Sequence, residues 1–208
     1  MTKTFTRVYD DHASAELAVR ECEAAGLCDS HIGIVASNAD GWHKPGSSDV
    51  DPKHDKDRDG KDDRSEGAVT GGGMGAIAGG AVGVAAGLGM LAIPGVGPIV
   101  AAGWLAALAS GAVAGGAAGG LIGALMETGT SKENAELYVE ALRRGGAVVT
   151  AKVADSDEAK YAAIMDLSAF DIAAREAAYR KTGWTGYDPA APAYNFDQVR
   201  KERETYRV

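Results

Sequence analysis

Cysteine is scarce in this chain, with only Cys22 and Cys28. The two are too far apart for a CxxC pair, and no others exist to complete a zinc quartet. Cys22 lies on the stripe Ala15, Ala18, Val19, Cys22 and reads as a buried thiol rather than half of a redox pair. Basic charge is in short supply too. Lys and Arg total 21 against 29 Asp and Glu, a net charge of −8 with pI near 5.0. No basic stripe with interleaved aromatics occurs, which argues against a nucleic-acid partner. The opening "MTKTFTRVYDD" has no apolar run of the secretory kind, so a reducing cytosol is the expected compartment.

Catalytic signatures are missing as well. There is no GxSxG, HExxH or GxxxxGK[ST], and the GxGxxG-like spacings follow from glycine abundance, since no strand precedes them. His12, His31, His43 and His54 are scattered over caps and loops. A metal role for His43 and His54 beside the nearby Asp run is weaker than a reading as solvated loop residues. Ser110 has no acid or base close in sequence and suits a helix-to-helix hydrogen bond. The expectation is a protein that is not an enzyme.

The largest absence is of charge: residues 67–126 contain no Asp, Glu, Lys or Arg. Glycine fills every fourth position at Gly71, Gly75, Gly79, Gly83 and Gly87, and the spacing returns at Gly103, Ala107, Gly111, Gly115, Gly119 and Gly123. Glycine in a helix costs roughly 1 kcal/mol against alanine. A four-residue phase puts small residues on one helix face, where backbones can approach closely. The spacing therefore predicts two helices, about 68–93 and 99–126, reversed at "IPGVGP" by Pro94, Gly95, Gly97 and Pro98. Either helix would be about 37 Å or longer, enough for a hydrocarbon core of about 30 Å. Trp104 near the turn suits an interface. A soluble assembly with the hairpins packed inside is the competing reading, because Gly and Ala anchor poorly in lipid.

The flanks look ordinary. "TFTRVYD" and "HIGIVAS" read as strands around the helix "HASAELAVRECEAAG", which starts at Asp10 or Asp11 and stops at Gly26. Thr130 and Glu133 fit a capping box ahead of "ENAELYVEALRRGG", whose Ala135, Tyr138, Ala141 and Leu142 share a stripe. "AVVTAKV" is a third strand and "DEAKYAAIMDL" another helix. The organisation expected is an α+β fold, a ferredoxin-like βαβ…αβα sandwich interrupted by a long glycine-zipper helical hairpin. Residues 1–36 and 128–182 form its halves, 37–66 an Asp-rich loop, 67–127 the hairpin and 183–208 a C-terminal docking tail.

Within that loop, "DKDRDGKDDRSE" matches the calcium-loop pattern D-x-D-x-D-G-x5-E without a gap. Asp55, Asp57 and Asp59 fill the first three ligand positions and Gly60 the turn. Lys61 offers a backbone carbonyl, Asp63 acts through water and Glu66 is the bidentate ligand. Against this, Asp62 stands where paired loops carry an apolar residue, and no incoming helix precedes the loop. The other reading is a solvated acidic linker.

"RVYDDHASAELAVRECEAAG", "GMLAIPGVGPIVAAGWLAA" and "SKENAELYVEALRRGGAVVTAKV" together resemble the bacterial general stress (heat-induced, YflT-type) domain family over most of residues 4–154. The resemblance implies a small stress-induced protein and supplies no catalytic residues. Three functional readings result. One is a non-enzymatic general stress protein at the cytoplasmic face of the inner membrane, touching the lipid bilayer and associating with itself through the hairpin. Another is a cytoplasmic homo-oligomeric ring, filament or shell. The last is a calcium-responsive binding module with Ca²⁺ as its only cofactor. Calorimetric titration with calcium is expected to give binding heat in the range of about 10⁻⁴–10⁻³ M for an isolated loop. Asp57→Ala should abolish that heat, and identical heats from both proteins would leave the linker reading.

Overall fold

The computed structural model describes residues 2–44, 89–106, 109 and 118–206. Five strands are present among them: β1 (Thr2–Tyr9), β2 (Ile32–Ser37), β3 (Gly89–Ile93), β4 (Gly97–Gly103) and β5 (Ala147–Ala154). The helices are α1 (His12–Ala24), α2 (Ala118–Glu127), α3 (Lys132–Arg143), α4 (Glu158–Asp166), α5 (Ile172–Lys181) and α6 (Phe196–Tyr206). All strand pairings are antiparallel, in the order β1-β5-β2-β4-β3. The protein is thus of the α+β kind.

Local chemistry explains the boundaries. Asp11 caps α1 by accepting from the Ser14 N–H at 2.8 Å, and Gly26 ends that turn at φ 100°. The α3 cap is Ser131, one residue beyond the Thr130 expected, and it accepts from the Asn134 N–H at 3.2 Å. Alternation along the strands then sorts side chains to two sides of the sheet. Tyr9, Ala36, Ala147 and Val149 face α1 and α4, packing with Ala15, Ala18, Cys22 and Met165. Val8, Val35, Ile99 and Val148 face the other way, onto Leu137, Tyr138 and Leu142 of α3 and Leu121 and Leu125 of α2. Burial raises the Cys22 thiol to about 11, as fits a packing residue.

Helices therefore cover both faces of the sheet. The strands do interleave, with β5 between β1 and β2, and β2 between β5 and β4. A ferredoxin-like sandwich would carry its helices on one face, so the layering here is different.

The helical hairpin expected over 67–127 also needs correction. Residues 89–103 form a β-hairpin that extends the sheet, with Ser37 opposite Ile99 and Leu91 opposite Ile99 from the other side. "IPGVGP" does reverse the chain, but between strands: Val96 N–H donates to Ile93 C=O at 3.0 Å, and Gly95 and Gly97 take φ of 79° and 104°. Leu91 and Ile93 are buried while Ala92 between them is exposed. That period of two, with β-branched Ile93, Val96, Ile99 and Val100, prevails over a glycine spacing that suits a helix equally well.

The second apolar segment is divided in the same way. In α2, Leu121, Ile122 and Leu125 are buried in the core, so its apolar side is spent on the domain itself. Among the described residues no helix is long and apolar enough to cross a membrane. Trp104 is half-buried against the core, with the Lys152 ammonium 3.9 Å from its ring centroid.

The exit from β4 is tightly packed. A Cβ on Gly33 would lie 2.9 Å from the backbone nitrogen of Leu105. Gly33→Ala is expected to destabilise the domain by about 1–3 kcal/mol, measured by urea unfolding. An unchanged midpoint would refute the close approach of β2 to Leu105.

Candidate functional site

The last turn of α3, "EALRRGG", places three charged side chains together. Glu140 is 3% exposed and accepts from Arg143 Nε at 2.8 Å and from Arg144 Nε at 2.6 Å. The helix stops there because Gly145 turns to φ 101°, its N–H donating to Leu142 C=O at 3.1 Å and the Gly146 N–H to Ala141 C=O at 2.8 Å. That tight stop aims both arginines away from the sheet, toward the C-terminal segment.

Each arginine then ties down a different piece of chain. Arg144 donates to Glu202 of α6 at 2.9 Å and to Thr182 Oγ1 at 3.2 Å, and its guanidinium lies 4.1 Å from the Tyr179 ring centroid. Arg143 donates to Pro192 C=O at 3.0 Å and covers the Tyr194 ring at 4.6 Å. Arg175 pairs with Asp10 at 2.6 Å between the rings of Phe170 and Tyr206, at 4.2 and 4.1 Å. Arg203 reaches Asp40 Oδ2 at 2.6 Å and Gly145 C=O at 2.7 Å. Val199 of α6 sits directly over Gly145, where a side chain on the glycine would collide with it.

Charge balances inside this cluster. Arg143, Arg144, Arg175 and Arg203 face Glu140, Glu202, Asp10 and Asp40, four against four. Burial alone would lower the pKa of Arg144, but its hydrogen bonds to Glu140 and Glu202 outweigh that and raise it. Burial raises Tyr179, with Arg175 and Arg144 pulling the other way. Both groups hold their protons at neutral pH. The cavity enclosed by Tyr9, Arg144, Arg175 and Tyr179 is about 10 Å³, about one water probe, and too small for a substrate. Outside it an open cleft of about 1190 Å³ runs along Asp11, Phe170 and α6, with Leu167 and Phe196 on its rim, 82% and 52% exposed.

The other titratable groups stand apart. His12 stacks on Trp42 at 3.6 Å, and burial lowers its pKa. The exposed Cys28 thiol lies 3.2 Å from Ser30 Oγ, a hydrogen bond that lowers its pKa. Among the described residues no group of three or more His, Cys, Asp or Glu is arranged to hold a metal ion.

The residues singled out in the sequence fall elsewhere. Asp55, Asp57, Asp59, Lys61, Asp63 and Glu66 lie outside the described residues, as do Gly71, Gly75, Gly79, Gly83, Gly87, Ala107, Gly111 and Gly115. Gly103 lies in β4 rather than a helix, at φ 68°, where a Cβ would run into the Ile32 carbonyl oxygen. Gly119 and Gly123 occupy the exposed side of α2, with no atom of the described residues within 4 Å of an added Cβ. The ion cluster was not anticipated. Its one local trace is the spacing of Glu140 to Arg143 and Arg144, three and four residues apart.

Fold and cluster together define an α+β domain whose C-terminal segment is held by an internally neutralised network of arginines and carboxylates. No family model matches the chain, and no curated protein or solved structure matches it either.

Glu140 is the acceptor common to Arg143 and Arg144. Glu140→Ala is expected to destabilise the protein by about 3–5 kcal/mol, since it leaves buried cationic groups short of a partner. Urea unfolding measures this, and a loss below about 1 kcal/mol would mean that the arginines are solvated rather than buried.

Proposed function

We propose that this chain is a non-enzymatic general stress protein that works by associating with copies of itself. The observation that carries the reading is where the uncharged region meets the domain. Of its described parts, β4 and β3 form one edge of the sheet, and α2 packs on α3 with its apolar side chains in the domain core. The resemblance to the YflT-type stress domain points in the same direction and adds no reaction.

The ion cluster supports a structural role over a catalytic one. Its charges are matched within the chain, and the void enclosed at its centre is about 10 Å³. Of the assembly readings, a homo-oligomer without lipid is favoured by the burial of α2's apolar side chains in the domain core. The cytoplasm is the compartment that suits it.

Sedimentation velocity on the purified full chain, with and without detergent, tests this reading. The expected result is a discrete oligomer without detergent, dissociated by Gly79→Leu combined with Gly115→Leu. A monomer at all concentrations would overturn self-association. A protein dispersed only by detergent would restore the bilayer as the partner.

A further inference from the structure

Helix α6 touches the domain along one stripe. Val199 is buried, Glu202, Arg203 and Tyr206 are half-buried, and the other residues of the helix are exposed. Their spacing, i, i+3, i+4 and i+7, is the one by which a separate amphipathic helix lies in a groove. Each finds its own seat. Val199 rests over Gly145, Glu202 accepts from Arg144 at 2.9 Å, and Arg203 donates to Asp40 at 2.6 Å. The Arg175 guanidinium lies 4.1 Å from the Tyr206 ring centroid, and the Tyr179 ring meets it edge-on at 6.2 Å.

The helix is joined lightly to the fold it covers. Val199, its one fully buried residue, belongs to neither of the two apolar core clusters. The ion pairs around it add less stability than their hydrogen bonds suggest. A segment with so little buried apolar area opens well below the free energy of global unfolding. The helix also carries its own start. Asn195 and Gln198 cap each other, each side chain accepting from the other's N–H at 3.0 Å. Just ahead of that cap the chain is fixed independently, by Arg143 at Pro192 C=O and over the Tyr194 ring.

The seat belongs to the body of the domain. Arg144 and Gly145 close α3, Arg175 and Tyr179 lie on α5, and Asp40 follows β2. Arg144 is held by Glu140 and Thr182 as well, and Arg175 by Asp10, so neither needs α6 to stay in place. We infer that this seat is a recognition groove for a helix, occupied here by the chain's own α6, which leaves it while the rest stays folded. The ligand is an amphipathic helix of another chain that presents the stripe Val-x-x-Glu-Arg-x-x-Tyr. Its carboxylate meets Arg144, its arginine Asp40, and its aromatic ring the Arg175 guanidinium. The stripe shares no residue with the glycines assigned above to self-association.

A labelled peptide of residues 195–208 is the probe, titrated into full-length protein and followed by fluorescence anisotropy. Val199→Asp puts a charge into the seat over Gly145 and frees α6 in an otherwise intact chain. Circular dichroism and thermal unfolding verify the fold. The peptide is expected to bind the Val199→Asp protein at least about tenfold more tightly than wild type, whose own α6 competes. A peptide carrying Glu202→Arg should bind about tenfold or more weakly, for want of the hydrogen bond between ions. Hydrogen exchange on the wild type is the second measurement, and α6 amides should exchange faster than those of β5. Exchange of α6 only with global unfolding overturns detachment, as does a Val199→Asp protein that does not fold. A folded Val199→Asp protein that ignores the peptide, or takes the Glu202→Arg peptide equally well, overturns the groove.

Discussion

Strand β5 lies between β1 and β2, bonded to each through most of its length, and these bonds join the two halves of the chain. Residues 2–37 supply two parallel strands, β1 and β2, that are joined to each other only through Ala147–Ala154 between them. Closing so long an intervening loop costs only slightly more entropy than closing a shorter one. Pairing on both sides, with Val148, Val149 and Ala151 fully covered, offsets that cost. A buried hydrogen bond between Thr6 and Thr150, at 3.1 Å, fixes the register of the β1 side.

The C-terminal segment depends on that sheet in turn. Once β5 is seated, α3 ends against Gly146, and the arginines of its last turn meet α5, the Pro192–Tyr194 stretch and α6. Burying ions is costly, and such a network adds less stability than its hydrogen bonds suggest. Its directional bonds do select one placement for α6, because Arg144, Arg203 and Val199 must each find a separate site. The aromatic rings around Arg144 and Arg175 provide weakly hydrated surface that suits guanidinium better than ammonium.

At the opposite side the sheet ends in a strand without charge. Among the described residues the two edge strands differ, with β1 carrying ion pairs to α4 and β3 carrying no charged side chain. Glycine here has more than one use: Gly95 and Gly97 permit a hairpin turn and Gly103 a left-handed strand end, whereas Gly119 and Gly123 lie on an open helix surface.

Local signals were legible wherever one period and one cap dominated. Asp11 and Gly26 bound α1, and the stripe of Ala135, Tyr138 and Ala141 is the buried side of α3. Alternation marks β1, β2 and β5. The stretch 89–103 forms strands rather than helix, although a run of Gly, Ala and Ile satisfies a helical spacing and a strand spacing alike. Only the free edge of β2 decided for the strand. The apolar side of α2 depended likewise on where α3 lay. The ion cluster was illegible for a stricter reason: Asp10, Asp40, Glu140, Arg175 and Glu202 come from five separate parts of the chain. The sequence by itself determined the elements with their own caps and periods, since those forces act within a few residues. Tertiary structure decided strand against helix in the uncharged region and which charges meet, because both depend on partners far along the chain.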